Sequence, residues 1–193
     1  MKKAALHNLG CKVNAYETEA MQHLLEEAGY EIVPFTQKAD VYVINTCSVT
    51  NMADRKSRQM LHKAKKNNPD SIVVAAGCYV QTSEKEVLND LSVDIVIGND
   101  RKHDLVRLLE EYSLDSVNDT VDDINDGKHD FEELFIDQTK EHTRAFIKVQ
   151  DGCNQFCSYC IIPYARGRVR SRRFENVIAE VERLRQTASR RLC

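Results

Sequence analysis

The sequence predicts an α/β protein: an open parallel sheet with helices on both faces, then one further strand–loop–helix unit. Three observations predict it. Over residues 1–112, short apolar runs alternate with helix-length amphipathic runs, the rhythm of a parallel sheet covered on both sides. Three of the strand-like runs end in a cysteine, at Cys11, Cys47 and Cys78. Residues 113–142 then break the rhythm with Asp, Asn and Ser, before a strand-like run resumes at Arg144.

The elements follow in order. Residues 3–9 read as a short strand. Residues 15–28 read as a helix, with Met21, Leu24, Leu25 and Ala28 on one stripe and Gly29 as its stop. Residues 40–46 hold Val-Tyr-Val-Ile, a buried strand. Residues 51–67 form a helix that turns Ala53, Met60, Leu61 and Ala64 inward and shares Arg55, Arg58, His62 and Lys65 on another face. Residues 71–76 are a third strand. Residues 82–91 are a helix capped by Thr82 or Ser83, with glutamates in its first turn. A strand over 93–97 and a helix over 101–112 close the set. Residues 113–142 read as a solvated acidic linker, with a short strand near Phe135. Residues 144–150 alternate as a strand, and 174–185 form a helix with Val177, Ile178, Val181 and Leu184 on one face.

Composition narrows the class. Of 193 residues 42% are hydrophobic, enough for a core, and seven are cysteines. The N-terminus lacks the apolar stretch of a signal peptide, and no run of apolar residues is long enough to span a membrane. Cysteines in that context point to metal or catalysis rather than disulfides, and to a cytoplasmic setting. The net charge of −3 divides into −2 over 1–112, −8 over 113–143 and +7 over 144–193. A basic end suits a nucleic-acid partner, although a solvated basic loop has the same composition.

Two cysteine sets carry the chemistry. Cys153, Cys157 and Cys160 are spaced C-x₃-C-x₂-C within one loop. Iron–sulfur clusters are held by thiolates, usually four, and three leave one iron open. A zinc knuckle is the alternative, and it needs a fourth ligand nearby. Cys11, Cys47 and Cys78 are far apart in sequence, yet each follows a strand, and strand ends of an open parallel sheet share one edge. Gly10 and Gly77 permit close backbone approach there. The alternative is that each is a small buried hydrophobe.

The C-x₃-C-x₂-C loop resembles that of the radical S-adenosylmethionine (SAM) enzymes. Leu9-Gly-Cys-Lys-Val-Asn14 followed by Glu17, Asn45-Thr-Cys47 with Arg55-Lys-Ser-Arg58, Ala76-Gly-Cys78, Gln150-Asp-Gly-Cys153, Ile161-Ile-Pro163 and Arg166-Gly-Arg168 extend the resemblance to the methylthiotransferases of that superfamily. Among their branches the closest match is to those acting on threonylcarbamoyladenosine in tRNA. The resemblance implies a methylthiotransferase N-terminal domain over 1–112, the linker over 113–142, and the start of a radical SAM partial barrel over 143–193. It implies two [4Fe-4S] clusters. Cys153, Cys157 and Cys160 would hold the one that binds and cleaves SAM. Cys11, Cys47 and Cys78 would hold the auxiliary one that donates sulfur. Tyr159 would lie near the SAM adenine, with plain packing as its alternative. A methylthio group would replace hydrogen at C2 of the modified adenosine beside the anticodon. The partners implied are a tRNA anticodon stem-loop and an electron donor such as flavodoxin or ferredoxin.

Members of the family continue through most of a barrel and a small RNA-binding domain. The chain is therefore expected to be C-terminally truncated and inactive toward SAM. Residues 1–112 are expected to fold alone, and the segment from Arg144 to lack packing partners. Competing expectations are isopentenyladenosine or a ribosomal-protein aspartate as substrate, a non-catalytic cluster-binding remnant, or an electron-transfer module.

Overall fold

The computed structural model describes residues 1–112, 118–126, 129–136 and 145–186. The expected strand start at Arg144 and the tail with Cys193 lie outside them. Strands β1 (Lys3–Asn8), β2 (Glu31–Ile32), β3 (Val41–Thr46), β4 (Ile72–Gly77), β5 (Ile95–Ile97) and β6 (Asn118–Thr120) form one sheet in the order β2-β1-β3-β4-β5-β6. Every pairing is parallel.

Helices cover both faces, as the unbroken apolar strands require. α1 (Lys12–Glu27) and α5 (Leu105–Glu111) pack Met21, Leu25, Leu105 and Leu108 against Val41 and Val43. α2 (Asn51–Asn67), α3 (Cys78–Thr82) and α4 (Glu84–Leu88) pack Leu61, Ala64, Val80 and Val87 against Tyr42 and Ile44. Alternate β3 residues thus serve opposite faces. α2 starts where the Thr50 hydroxyl accepts from Ala53 N–H, and Asp54 and Lys65–Lys66 suit its two dipole ends.

Several expectations are corrected. The helix over 82–91 shortens to α4, and a separate short helix, α3, precedes it from Cys78. The Ser83 N–H closes α3 on the Tyr79 carbonyl, while the Ser83 carbonyl opens α4 by accepting from Glu86 and Val87. The helix over 101–112 begins with a 3₁₀ turn at Lys102–Asp104. The acidic linker is not simply solvated. It adds β6 to the sheet and buries Ile124, Leu134 and Ile136. No strand forms over 131–136.

The strand expected over 144–150 reduces to an isolated bridge at Ala145 and β7 (Gln150–Asp151), which pairs antiparallel with β8 (Arg170–Ser171). A strand extends only as far as a neighbour offers backbone partners. α6 (Ile162–Arg166) and α7 (Phe174–Gln186) complete the second segment.

That segment does not lack partners. Leu184 of α7, with Leu134, Ile136 and Ala145, packs on Tyr16 and Ala20 of α1. The buried face of α7 is narrower than expected: Leu184 and Glu180 are buried, while Ile178 is 40% exposed. The reason is polar. The Glu180 carboxylate accepts from the Tyr16 hydroxyl at 2.9 Å and from Ile136 N–H at 3.1 Å, and pairs with Arg172. Satisfying a buried carboxylate fixes the helix rotation before a half-buried Ile does.

Candidate metal centre at the sheet rim

The sheet changes direction between β1 and β3, because β2 lies on one side of β1 and β3 on the other. Ligands of open parallel sheets bind at the carboxyl ends beside such a switch. Cys11 follows β1, Cys47 follows β3, and Cys78 starts α3 directly after β4. β1, β3 and β4 are adjacent, so the three thiols share one rim.

Each is held by its surroundings. Cys11 is the N-cap of α1 but makes no capping hydrogen bond, so its exposed thiol stands at the positive end of a 16-residue helix. Its Sγ lies 3.9 Å from Asn14 Oδ1. The Asn14 amide donates to the carbonyls of Leu9 at 2.7 Å and Thr46 at 2.9 Å, tying the β1 and β3 ends together. Cys47 is buried. Its N–H donates to Ser57 Oγ, and its carbonyl accepts from the same hydroxyl, each at 3.2 Å. Burial pushes the Cys47 thiol up, with the Cys78 and Cys11 thiols adding to the shift. Cys78 is buried too, and its Sγ is 3.7 Å from the Asn99 amide nitrogen. Gly10 has φ +102°, and a Cβ there would stand 2.6 Å from Cys47 Sγ. The glycine is what lets the backbone pass so close to the thiol.

All six cysteines of the described residues are free thiols. Among those residues, no group of three or more His, Cys, Asp or Glu side chains converges tightly enough to hold a metal ion. The donor set nevertheless suits a thiophilic group: three thiols from adjacent strand ends, with a glycine where a side chain would block approach.

The second set lies on the loop between β7 and β8. Its base is closed by Cys153 N–H donating to the Gly167 carbonyl at 3.0 Å and Val169 N–H to Asn154 Oδ1 at 3.0 Å. Cys160 N–H donates to the Cys157 carbonyl at 2.9 Å, a tight turn between two cysteines. Phe156 has φ +46°, rare for an aromatic, and Arg168 covers its ring at 4.4 Å. Tyr159 is 91% exposed beside Cys160, so the packing alternative for it is not observed.

A buried ionic cluster joins the two sets. Glu17, on α1, is fully buried. Its carboxylate meets Lys148 Nζ at 2.7 Å, Arg166 Nη1 at 2.8 Å and Lys102 Nζ at 3.2 Å. Burial alone would raise this carboxyl, but Arg166, Lys102 and Lys148 together hold it well below the usual range. Arg166 also reaches Asp151 at 3.1 Å, two residues before Cys153, and Asn14 Oδ1 at 2.7 Å. Asp151 is likewise held down despite its burial, by Arg166 and Lys148.

The basic end is therefore only partly a surface. Arg166, Arg170 and Arg172 are buried and bridge Glu17, Asp100 and Glu180, whereas Arg168 and Arg173 are exposed. Arg166 is buried at the end of α6, and Arg170 and Arg172, two residues apart at β8, turn to the same side, opposite Ser171 and Arg173. The reading of the whole run as solvent-facing is corrected accordingly. Asn14, Glu17, Ser57, Asn99, Lys102 and Asp151 had no role assigned from their chemistry. Glu17 had a visible signal: it sits on the helical stripe that continues through Met21 and Leu25, a charge where the face is apolar.

Comparison with known proteins bears on the site. Residues 3–98 match the protein family described as "Uncharacterized protein family UPF0004". The chain is 46% identical over 186 residues to the threonylcarbamoyladenosine tRNA methylthiotransferase MtaB of Bacillus subtilis (strain 168), covering 95% of this chain and 41% of that protein. It is 43% identical over 186 residues to the protein of the same name from Aquifex aeolicus (strain VF5), covering 95% and 45%. It is 34% identical over 189 residues to the tRNA-2-methylthio-N(6)-dimethylallyladenosine synthase of Thermoanaerobacter sp. (strain X514), covering 94% and 39%. The chain thus spans well under half the length of these relatives. Among the described residues no helix is long and apolar enough to cross a membrane.

Proposed function

We propose, on the premise that this chain belongs to the methylthiotransferase family, that it serves the insertion of a methylthio group at C2 of N6-threonylcarbamoyladenosine beside the tRNA anticodon. The observation that carries the reading is the placing of Cys11, Cys47 and Cys78 on adjacent strand ends, with the Cys153–Cys157–Cys160 loop tied to that rim through Asn14, Arg166 and Asp151. Each set would hold a [4Fe-4S] cluster. When bound, the two clusters and SAM supply radical formation and the sulfur to be transferred.

The chain's own residues have narrower roles. Cys153, Cys157 and Cys160 would leave one metal position open, and the exposed Tyr159 ring would lie against the SAM adenine. Asn14, Ser57 and Asn99 orient the rim thiols. Arg168 and Arg173 offer exposed guanidinium groups to phosphate. The partners are the anticodon stem-loop, SAM and a low-potential electron donor, in the cytoplasm. The branch choice rests on the higher identity to the two threonylcarbamoyladenosine enzymes than to the dimethylallyladenosine one.

Triple Cys→Ala substitution of each set, followed by anaerobic reconstitution, tests the two-centre reading. Each triple variant should lose about half of the bound iron, and the six-fold variant all of it. Iron falling to zero in both triple variants would mean a single shared site. Deleting the gene should remove the methylthio form of threonylcarbamoyladenosine from digested tRNA. Loss from isopentenyladenosine alone would place the protein in the other branch.

A further inference from the structure

Five ionisable side chains are buried together between the rim and the second cysteine loop: Glu17, Lys102, Lys148, Asp151 and Arg166. Three are cations and two are carboxylates. Arg170 and Asp100 form a matched pair beside them. One unit of positive charge is therefore in excess where water is excluded, and such a charge is costly unless an anion lies against it.

The excess faces the rim. Arg166 Nη2 donates to Asn14 Oδ1 at 2.7 Å, and that same oxygen is 3.9 Å from Cys11 Sγ. Lys102 Nζ donates to Asn99 Oδ1 at 2.7 Å. The Asn99 amide nitrogen lies 3.7 Å from Cys78 Sγ and donates to the carbonyl of Ala165, the residue before Arg166, at 2.5 Å. Arg166 and Lys102 are each one side chain away from a rim thiol.

We propose that Arg166, backed by Lys102, supplies the countercharge of the Cys11–Cys47–Cys78 rim, so that the rim holds a negatively charged metal–thiolate group and Arg166 acts as a positioning residue rather than a ligand. The proposal rests on the reading of the rim as a metal centre. It adds that metal affinity there follows the net charge of the buried cluster. Arg suits the role because its planar fork engages Glu17, Asp151 and Asn14 at once.

The test uses the metal-free chain with Cys153→Ala, Cys157→Ala and Cys160→Ala, leaving only the rim thiols and Cys193. Cobalt(II) is added anaerobically, and sulfur-to-cobalt charge-transfer absorbance reports thiolate ligation. Removing one unit charge roughly 10 Å away, at an effective dielectric of about 20, weakens binding on the order of tenfold. Arg166→Gln should show that loss, and Arg166→Lys should recover most of it. Glu17→Gln adds a second unmatched cation and should tighten binding. A merely structural role predicts the opposite sign for Glu17→Gln. Circular dichroism checks each fold, and if Glu17→Gln does not fold, the Arg166→Gln and Arg166→Lys pair decides. Equal affinity in that pair and the parent overturns the countercharge while leaving the metal centre standing. Absence of cobalt–thiolate bands in the parent overturns the metal-centre reading and the countercharge with it.

Discussion

Replacing Glu17 by Gln keeps the shape of the side chain and removes one charge from the centre of the buried cluster. Glu17 is fully buried and pairs with Lys102, Lys148 and Arg166. Without it, three buried cations face the single carboxylate of Asp151. Breaking a buried pair by removing one partner destabilises by about 3–5 kcal/mol, and three bereft partners put the expectation at the upper end. With a urea slope of about 2 kcal/mol/M, the unfolding midpoint followed by circular dichroism should fall by roughly 2 M. Arg166→Gln should cost less, since it leaves two cations against two carboxylates.

The pH dependence supplies a second check. Glu17 and Asp151 are both held below their ordinary carboxyl range, so their contribution is present above the unfolded pKa, about 4, and is lost as pH falls through the folded values. Glu17→Gln has already lost its share. The stability gap between the two proteins should therefore narrow as pH drops below about 4. A loss under about 1 kcal/mol at neutral pH, or a gap that does not change with pH, would refute the idea of a closed ionic cluster.

Other expectations follow from the same contacts. Ser57→Ala strips the partner from both the N–H and the carbonyl of Cys47, so stability should drop by about 1–3 kcal/mol and Cys47 should alkylate faster in metal-free protein, read by mass spectrometry. Gly10→Ala forces a Cβ to 2.6 Å from Cys47 Sγ at φ +102°, which should lower thermal stability by about 1–3 kcal/mol in a melting curve. Arg172→Met leaves Glu180 buried without its cation, so hydrogen exchange should lose protection over 145–186 while the sheet keeps it. In the parent that protection should extend into 145–186; free exchange there would contradict the packing on α1. Because burial raises the Cys47 thiol, Cys47 should react more slowly than the exposed Cys11 near neutral pH, and an equal rate would count against its burial.

The sheet was legible in the sequence because its central strands are unbroken apolar runs and its helices carry ordinary stripes and caps. The rim was legible for the same reason: a cysteine directly after each strand needs only the parallel topology to find its place. What stayed hidden depends on pairing across the chain. Arg166, Arg170 and Arg172 look like surface charge until their partners Glu17, Asp100 and Glu180 are known, and those lie on other elements. The acidic segment misled in the same way. Three of its apolar residues, Ile124, Leu134 and Ile136, are buried, yet composition averages them away. The strand at 144–150 shows the converse limit, since alternation describes a willing strand but not its neighbour.

The contact between Glu17 and Arg166 bridges 149 residues of chain. At a synthesis rate of about 5–20 residues per second, Glu17 emerges roughly 7–30 s before the arginine that neutralises it. During that interval the sheet can assemble from its local βαβ units, while the Tyr16–Ala20 face of α1 stays uncovered and Glu17 has at most Lys102 for company. Formation of the ionic cluster is then the last act of folding, and it must strip water from five charges at once. Slow closure of the second segment onto a finished sheet is the kinetic signature to expect. On the ribosome, the cysteine rim would stay open to solvent until that closure is made.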